Sequence, residues 1–228
     1  MDVTVGWCSE FEPGWRVGHL LRASRPPALF QYHFGRYLAA AGVPLTGRAI
    51  LDEDLGDGGL SRDAAAAIAT SDIVFLASHG RMDGLTYRFR LRRGEWTPAN
   101  SPPPNGPSVL VLDTCNVASL GAMPGESSWV QPGCPSPAIV LGFVGPATDG
   151  YSESMRGRAF AEHLSAGCTY AAAWFRAVQD TQPRRRRDCA IAIAFGPTEA
   201  QARAHLQTVS LANRPARTVA DACWWQTR

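Results

Sequence analysis

Four short, mostly apolar runs closed by turn residues constrain this chain more than any other feature. They occupy residues 3–7, 73–77, 109–112 and 138–143. Apolar runs of this length, bounded by turn formers, read as β-strands buried on both faces of a sheet. Residues 190–195 have the same form, although alanine is a poor strand former. Such strands need cover on both sides, and the segments between them have to supply it.

Those segments carry helical patterns. Residues 28–41 place Leu29, Tyr32, Phe34, Tyr37 and Leu38 in an amphipathic stripe that stops at Gly42 and Pro44. Ser61 is positioned to cap an alanine-rich helix over 62–69. Residues 152–165 read as a helix ended by Gly167, with Met155, Ala159, Phe160 and Leu164 inward. Helices over 169–178 and 198–206 follow. Strands alternating with helices predict one α/β domain over 1–228, with a mostly parallel central sheet flanked by helices on both faces. One segment breaks the pattern. Residues 85–91 alternate apolar and polar, which predicts a half-exposed strand or small hairpin after the second strand. The proline-rich stretch 102–107 then interrupts regular structure.

Composition excludes several function classes. No run of about 18 apolar residues occurs, so no bilayer-spanning helix is expected. The N-terminus lacks a basic segment followed by an apolar run, which points to a cytoplasmic protein. A formal charge of +2 implies no nucleic-acid partner. All 22 basic residues are arginine. With so much alanine, glycine and proline, that reads as the codon bias of a GC-rich bacterial genome. The six cysteines (Cys8, Cys115, Cys134, Cys168, Cys189, Cys223) include no C-x-x-C pair. Neither a metal site nor a cofactor is expected, and most of the thiols should be reduced core residues.

Two of the strongest strands end in reactive groups. One runs into Ser78-His79-Gly80, the other into Asp113-Thr114-Cys115-Asn116. In open parallel sheets, functional groups gather where strands deliver their carboxyl ends. If these two strands are neighbours, His79 and Cys115 emerge at one rim. A thiol needs little activation to act as a nucleophile, and a nearby imidazole can supply the proton a leaving amine requires. Gly80 has no side chain to block its N–H, so with the Cys115 amide it can form an oxyanion hole.

An apolar strand ending in Ser-His-Gly, then one ending in Asp-x-Cys, resembles the caspase–metacaspase–gingipain group of cysteine peptidases. Residues 72–80 and 109–116 carry most of the likeness. Ile139-Val140-Leu141-Gly142-Phe143, Gly157-Arg158-Ala159-Phe160 and Ala173-Trp174-Phe175 resemble an uncharacterised bacterial branch of that group. The resemblance implies a caspase-like fold, with Cys115 as nucleophile and His79 as general acid/base. It also implies oxyanion donors at Gly80 and Cys115, and a peptide or protein substrate. Asp113 matches the acidic position of metacaspases, which implies a pocket preferring arginine or lysine. After the cysteine, Asn116-Val117-Ala118 stands where caspases have a glycine-containing turn.

Several residues keep two readings. Asp113 can equally accept backbone hydrogen bonds at the strand end. Asn116 either forms a turn or helps hold the substrate and the imidazole. The run Arg184-Arg185-Arg186-Arg187 is either a solvated loop, a self-cleavage site or a docking patch. Trp174 should be core, whereas Trp224-Trp225 either closes the core or forms an exposed patch. His19, His33, His163 and His205 belong to no motif. Three functions follow: a peptidase cutting after arginine, a peptide ligase or maturation enzyme on the same dyad, or a partner-binding scaffold without catalysis.

Overall fold

The computed structural model describes residues 1–8, 25–50, 61–83, 86–91, 94–97, 107–118, 137–147, 153–182, 188–213 and 222–227. The arginine run, His19 and Cys134 lie outside the described residues, as do the side chains of Cys223 and Trp225.

Seven strands form the central sheet in the order β10-β9-β8-β7-β3-β1-β2. The apolar runs are β1 (Asp2–Trp7), β3 (Ile73–Ala77), β7 (Val109–Asp113), β8 (Ile139–Val144) and β9 (Cys189–Gly196). β2 (Thr46–Ile50) and β10 (Ala222–Thr227) are the two edges. Pairing is parallel from β2 across to β8, while β9 runs antiparallel to β8 and β10. The sheet is therefore mixed and mostly parallel, in a single α/β domain.

Side chains alternate across each strand, and the two faces bury different partners. Val3, Val5, Ile73, Phe75, Val109, Val111, Ile139, Leu141 and Phe143 share one core. Three helices cover that face: α1 (Arg25–Ala40), α3 (Arg156–Ser165) and α4 (Tyr170–Thr181). Phe30, Phe160 and Trp174 meet Phe75 there in an aromatic cluster, with ring centroids 5.4 to 6.4 Å away. Trp174 is fully buried, and its indole N–H donates to Gly142 O at 3.0 Å. α5 (Glu199–Thr208) sends Leu206 to the same core.

Val74, Leu76, Leu110, Leu112 and Val140 point the other way. Their cover is α2 (Arg62–Thr70), through Ala64 and Ile68, and a small antiparallel sheet. That sheet has the order β4-β5-β6, built from β4 (Gly80–Asp83), β5 (Thr86–Leu91) and β6 (Gly94–Trp96). Tyr87, Phe89 and Leu91 of β5 enter the core at every second position, as the alternation over 85–91 predicts. The hairpin is thus a three-stranded meander. Among the described residues, α2 and this meander cover the second face.

Ser61 caps α2 by accepting from Ala64 N–H at 3.1 Å. α1 begins three residues before the predicted stripe, with Pro26 and Pro27 buried in its first turn, where a missing N–H costs nothing. Cys8 is fully buried, whereas Cys115, Cys168 and Cys189 are only partly so. Trp224 lies in β10, packs against the first core and is covered by the Arg203 guanidinium at 5.0 Å. No helix among the described residues is long and apolar enough to cross a membrane.

Candidate active site

Pairing of β3 with β7 sets Ala77 opposite Asp113 at the ends of both strands. His79 and Cys115 follow two residues beyond, so they leave the sheet side by side at its carboxyl-terminal rim. Both are half-buried.

The His79 turn is tied to β5. Ser78 Oγ donates to Arg90 O at 2.7 Å, and Arg90 N–H donates to His79 O at 2.9 Å. The second bond flanks the pair Gly80 opposite Phe89, as happens around an antiparallel pair that exchanges no hydrogen bonds of its own. The N–H and C=O of Gly80 therefore point away from β5. Asn116 Nδ2 donates to that carbonyl at 3.4 Å, so this side faces the Cys115 turn. A Cβ on Gly80 would overlap the Cys115 carbonyl oxygen. It would also crowd Thr114 Oγ1 at 2.8 Å and the Tyr87 hydroxyl at 2.9 Å. Only glycine lets the two turns come this close.

The Cys115 turn is clamped from its other side by β8. Asn116 has φ 55°, a left-handed conformation that asparagine tolerates better than most residues. Its N–H donates to Gly145 O at 2.7 Å, and Val117 N–H donates to Phe143 O at 2.8 Å. Val117 then lies over Gly142, where a Cβ would overlap its side chain. Beneath the turn, the buried Tyr87 hydroxyl meets Thr114 Oγ1 at 2.5 Å. Burial pushes the Tyr87 phenol far up, so it stays a neutral hydrogen-bonding group.

Among the described residues, the thiol bonds to Ala147. Cys115 Sγ accepts from Ala147 N–H at 3.2 Å and lies 3.6 Å from Ala147 O. Burial pushes the thiol above its usual range, and the Ala147 N–H partly counters this. The Asp113 and Asp188 carboxylates push it up further, and Arg156 pulls it down. The resting Cys115 is therefore a neutral thiol at neutral pH.

Asp113 has an internal partner. Its side chain is 5 % exposed and forms an ion pair with Arg156, which is 2 % exposed. Arg156 also reaches Asp188 Oδ2 at 3.4 Å, on a side chain 4 % exposed. A carboxylate already satisfied by an internal guanidinium is not an open seat for a substrate arginine. Asn116 likewise acts as the turn former, with its amide spent on Gly80. Beside the ion triad, between α4 and the start of β9, is a cavity of about 600 Å³. Its walls include Phe175, Val178, Gln182, Asp188 and Cys189.

Arg156 and Asp188 escape the motif-based reading, yet a signal for Arg156 exists. It lies four residues before Phe160 and eight before Leu164, both inward on α3, so helical spacing turns it inward too. The other described histidines lie elsewhere. His163 pairs with Asp180 at 2.7 Å, His205 Nδ1 meets Phe195 O at 2.7 Å, and His33 stands edge-on to Tyr32.

Among solved structures, the chain is similar to pro-sf-caspase-1, with a TM-score of 0.41 and 12% identity over 78% of this chain and 79% of that one. It is also similar to caspase-1 from Spodoptera frugiperda, with a TM-score of 0.40 and 13% identity over 78% of this chain and 75% of that one. No curated protein sequence matches. A family model matches residues 46–228, which span both turns and every strand from β2 to β10. The chain belongs to that family, described as Domain of unknown function (DUF6345).

Proposed function

We propose that the chain is a cysteine-dependent enzyme that cleaves peptide bonds through an acyl-thioester on Cys115. The observation that carries the reading is the delivery of an imidazole and a thiol, remote in sequence, to one rim by the register of β3 and β7. The Ser-His-Gly and Asp-x-Cys motifs at those strand ends support it.

In this reading the thiol proton passes to His79, and Cys115 Sγ attacks the scissile carbonyl carbon. The resulting oxyanion is held by backbone N–H groups, with Gly80 suited by its direction toward the Cys115 turn. Collapse breaks the C–N bond, and the imidazolium gives its proton to the departing amine. Water then hydrolyses the thioester and restores the thiol. His79 serves chiefly the leaving group, which fits a thiol whose hydrogen bonds go to Ala147.

A second reading draws on the raised thiol. A Cys115 kept neutral by burial and two carboxylates also suits a caspase-like scaffold that binds a partner without catalysis. Labelling with peptidyl acyloxymethyl ketones, followed by mass spectrometry, separates the two. The enzyme reading expects one adduct, on Cys115, that forms more slowly in His79→Ala. Adducts spread over Cys8, Cys168 and Cys189 with none favoured on Cys115 would overturn it.

A further inference from the structure

Three neighbouring parallel strands, β3, β7 and β8, end at the rim, and the third also reaches the sulfur. Beyond β8 the chain reads Gly145-Pro146-Ala147. Gly145 has φ 79°, a left-handed conformation open to glycine, and it turns the segment toward Cys115. Asn116 N–H donates to Gly145 O at 2.7 Å, and Ala118 pairs with Val144. Pro146 has no N–H, so Ala147 carries the first main-chain donor after the glycine. That donor lies 3.2 Å from Cys115 Sγ, and Ala147 itself packs against the first core. Main-chain bonds on one side and apolar packing on the other fix the donor against the sulfur.

Resting on the reading of Cys115 as the nucleophile, we propose that Ala147 is a catalytic residue whose N–H holds the sulfur and stabilises the attacking thiolate. The neutral thiol uses both main-chain groups of Ala147. It accepts from the N–H and donates to the carbonyl at 3.6 Å. Loss of the proton to His79 ends the second bond, and the first becomes charge-assisted and strengthens. The carbonyl oxygen opposes the new charge from 3.6 Å, whereas the N–H meets it from 3.2 Å, so the donor prevails. Attack then forms the C–S bond with a sulfur electron pair, and the N–H bond weakens as the charge passes to the oxyanion. A main-chain N–H keeps its proton throughout the working range, so this support does not depend on pH.

The test is to replace that one N–H. Lactic acid incorporated in place of Ala147 gives a main-chain ester, which swaps the N–H for oxygen and keeps the side chain. Asp113, Asp188, Arg156 and Tyr87 interact electrostatically with the same thiol, and the ester leaves them and His79 in place. Iodoacetamide alkylation of Cys115 is followed against pH by site-resolved mass spectrometry. The ester should raise the midpoint by about one pH unit and slow labelling below it about tenfold. An ester protein that is less stable to urea but keeps the wild-type pH profile would overturn the proposal. A second arm uses wild type labelled on its amide nitrogens, in case the ester protein does not fold. In an NMR titration, the Ala147 amide proton should move downfield with the midpoint seen in alkylation, and Cys115→Ala should abolish that shift. An Ala147 amide that stays in place while Cys115 ionises would overturn the proposal. Neither arm requires turnover. A protein that passes both yet cleaves no peptide would contradict the catalytic reading while keeping the contact between Ala147 and the thiolate.

Discussion

His79 and Cys115 each stand two residues beyond a paired position, Ala77 opposite Asp113, on neighbouring parallel strands. The main-chain ladder sets their proximity, and no bond between the two side chains is needed to hold it. The turns that follow are then locked by backbone contacts: Gly80 against Cys115, and Asn116 and Val117 against the end of β8.

The Gly80 contact is the most easily tested. In Gly80→Ala the new methyl meets a carbonyl oxygen and two buried hydroxyls, none of them a flexible side-chain end. Overpacking of this kind costs about 1–3 kcal/mol. Urea denaturation should show that loss, and Cys115 alkylation should change as the turn shifts. A variant with wild-type midpoint and labelling rate would mean the turns are not in contact.

Tyr87 and Thr114 form a buried hydroxyl pair under the Cys115 turn. Removing either hydroxyl takes away a buried hydrogen bond, at about 0.5–1.5 kcal/mol. Tyr87→Phe and Thr114→Val should each be destabilised, and the double variant should lose less than the sum. Simple additivity in a double-mutant cycle would show that the hydroxyls do not interact.

The sequence makes the sheet's centre legible and its edges less so. β3, β7 and β8 are runs buried on both faces, and their composition leaves no other place for them. β2 reads Thr-Gly-Arg-Ala-Ile, an edge strand that one partner alone orders, and it carries no continuous apolar signal. β4 and β6 are four and three residues long, and they exist because β5 offers them a pairing edge. At the site, the strand-end motifs give His79 and Cys115. The partner of Asp113 comes from a distant helix, which the strand-end motif does not show. An arginine at a helix start reads as solvent-facing unless its spacing to Phe160 is followed through.

The pH dependence of Cys115 reactivity should follow its surroundings. A thiol pushed up by burial loses its proton at higher pH than an ordinary cysteine, so alkylation should accelerate through a raised midpoint. Asp113→Asn removes a carboxylate that disfavours the thiolate and should lower that midpoint. Arg156→Met removes a favourable cation and should raise it. Iodoacetamide rate profiles with site-resolved mass spectrometry read all three. Shifts of the opposite sign would mean the charges lie elsewhere.

The most direct test is cleavage of a peptide library by wild type, Cys115→Ala and His79→Ala side by side, with products identified by mass spectrometry. Wild type should cut peptides, Cys115→Ala should cut none, and His79→Ala should be slowed by about 10²–10⁴-fold, the span of a lost general acid. Cleavage by Cys115→Ala at the wild-type rate would contradict the account at its centre.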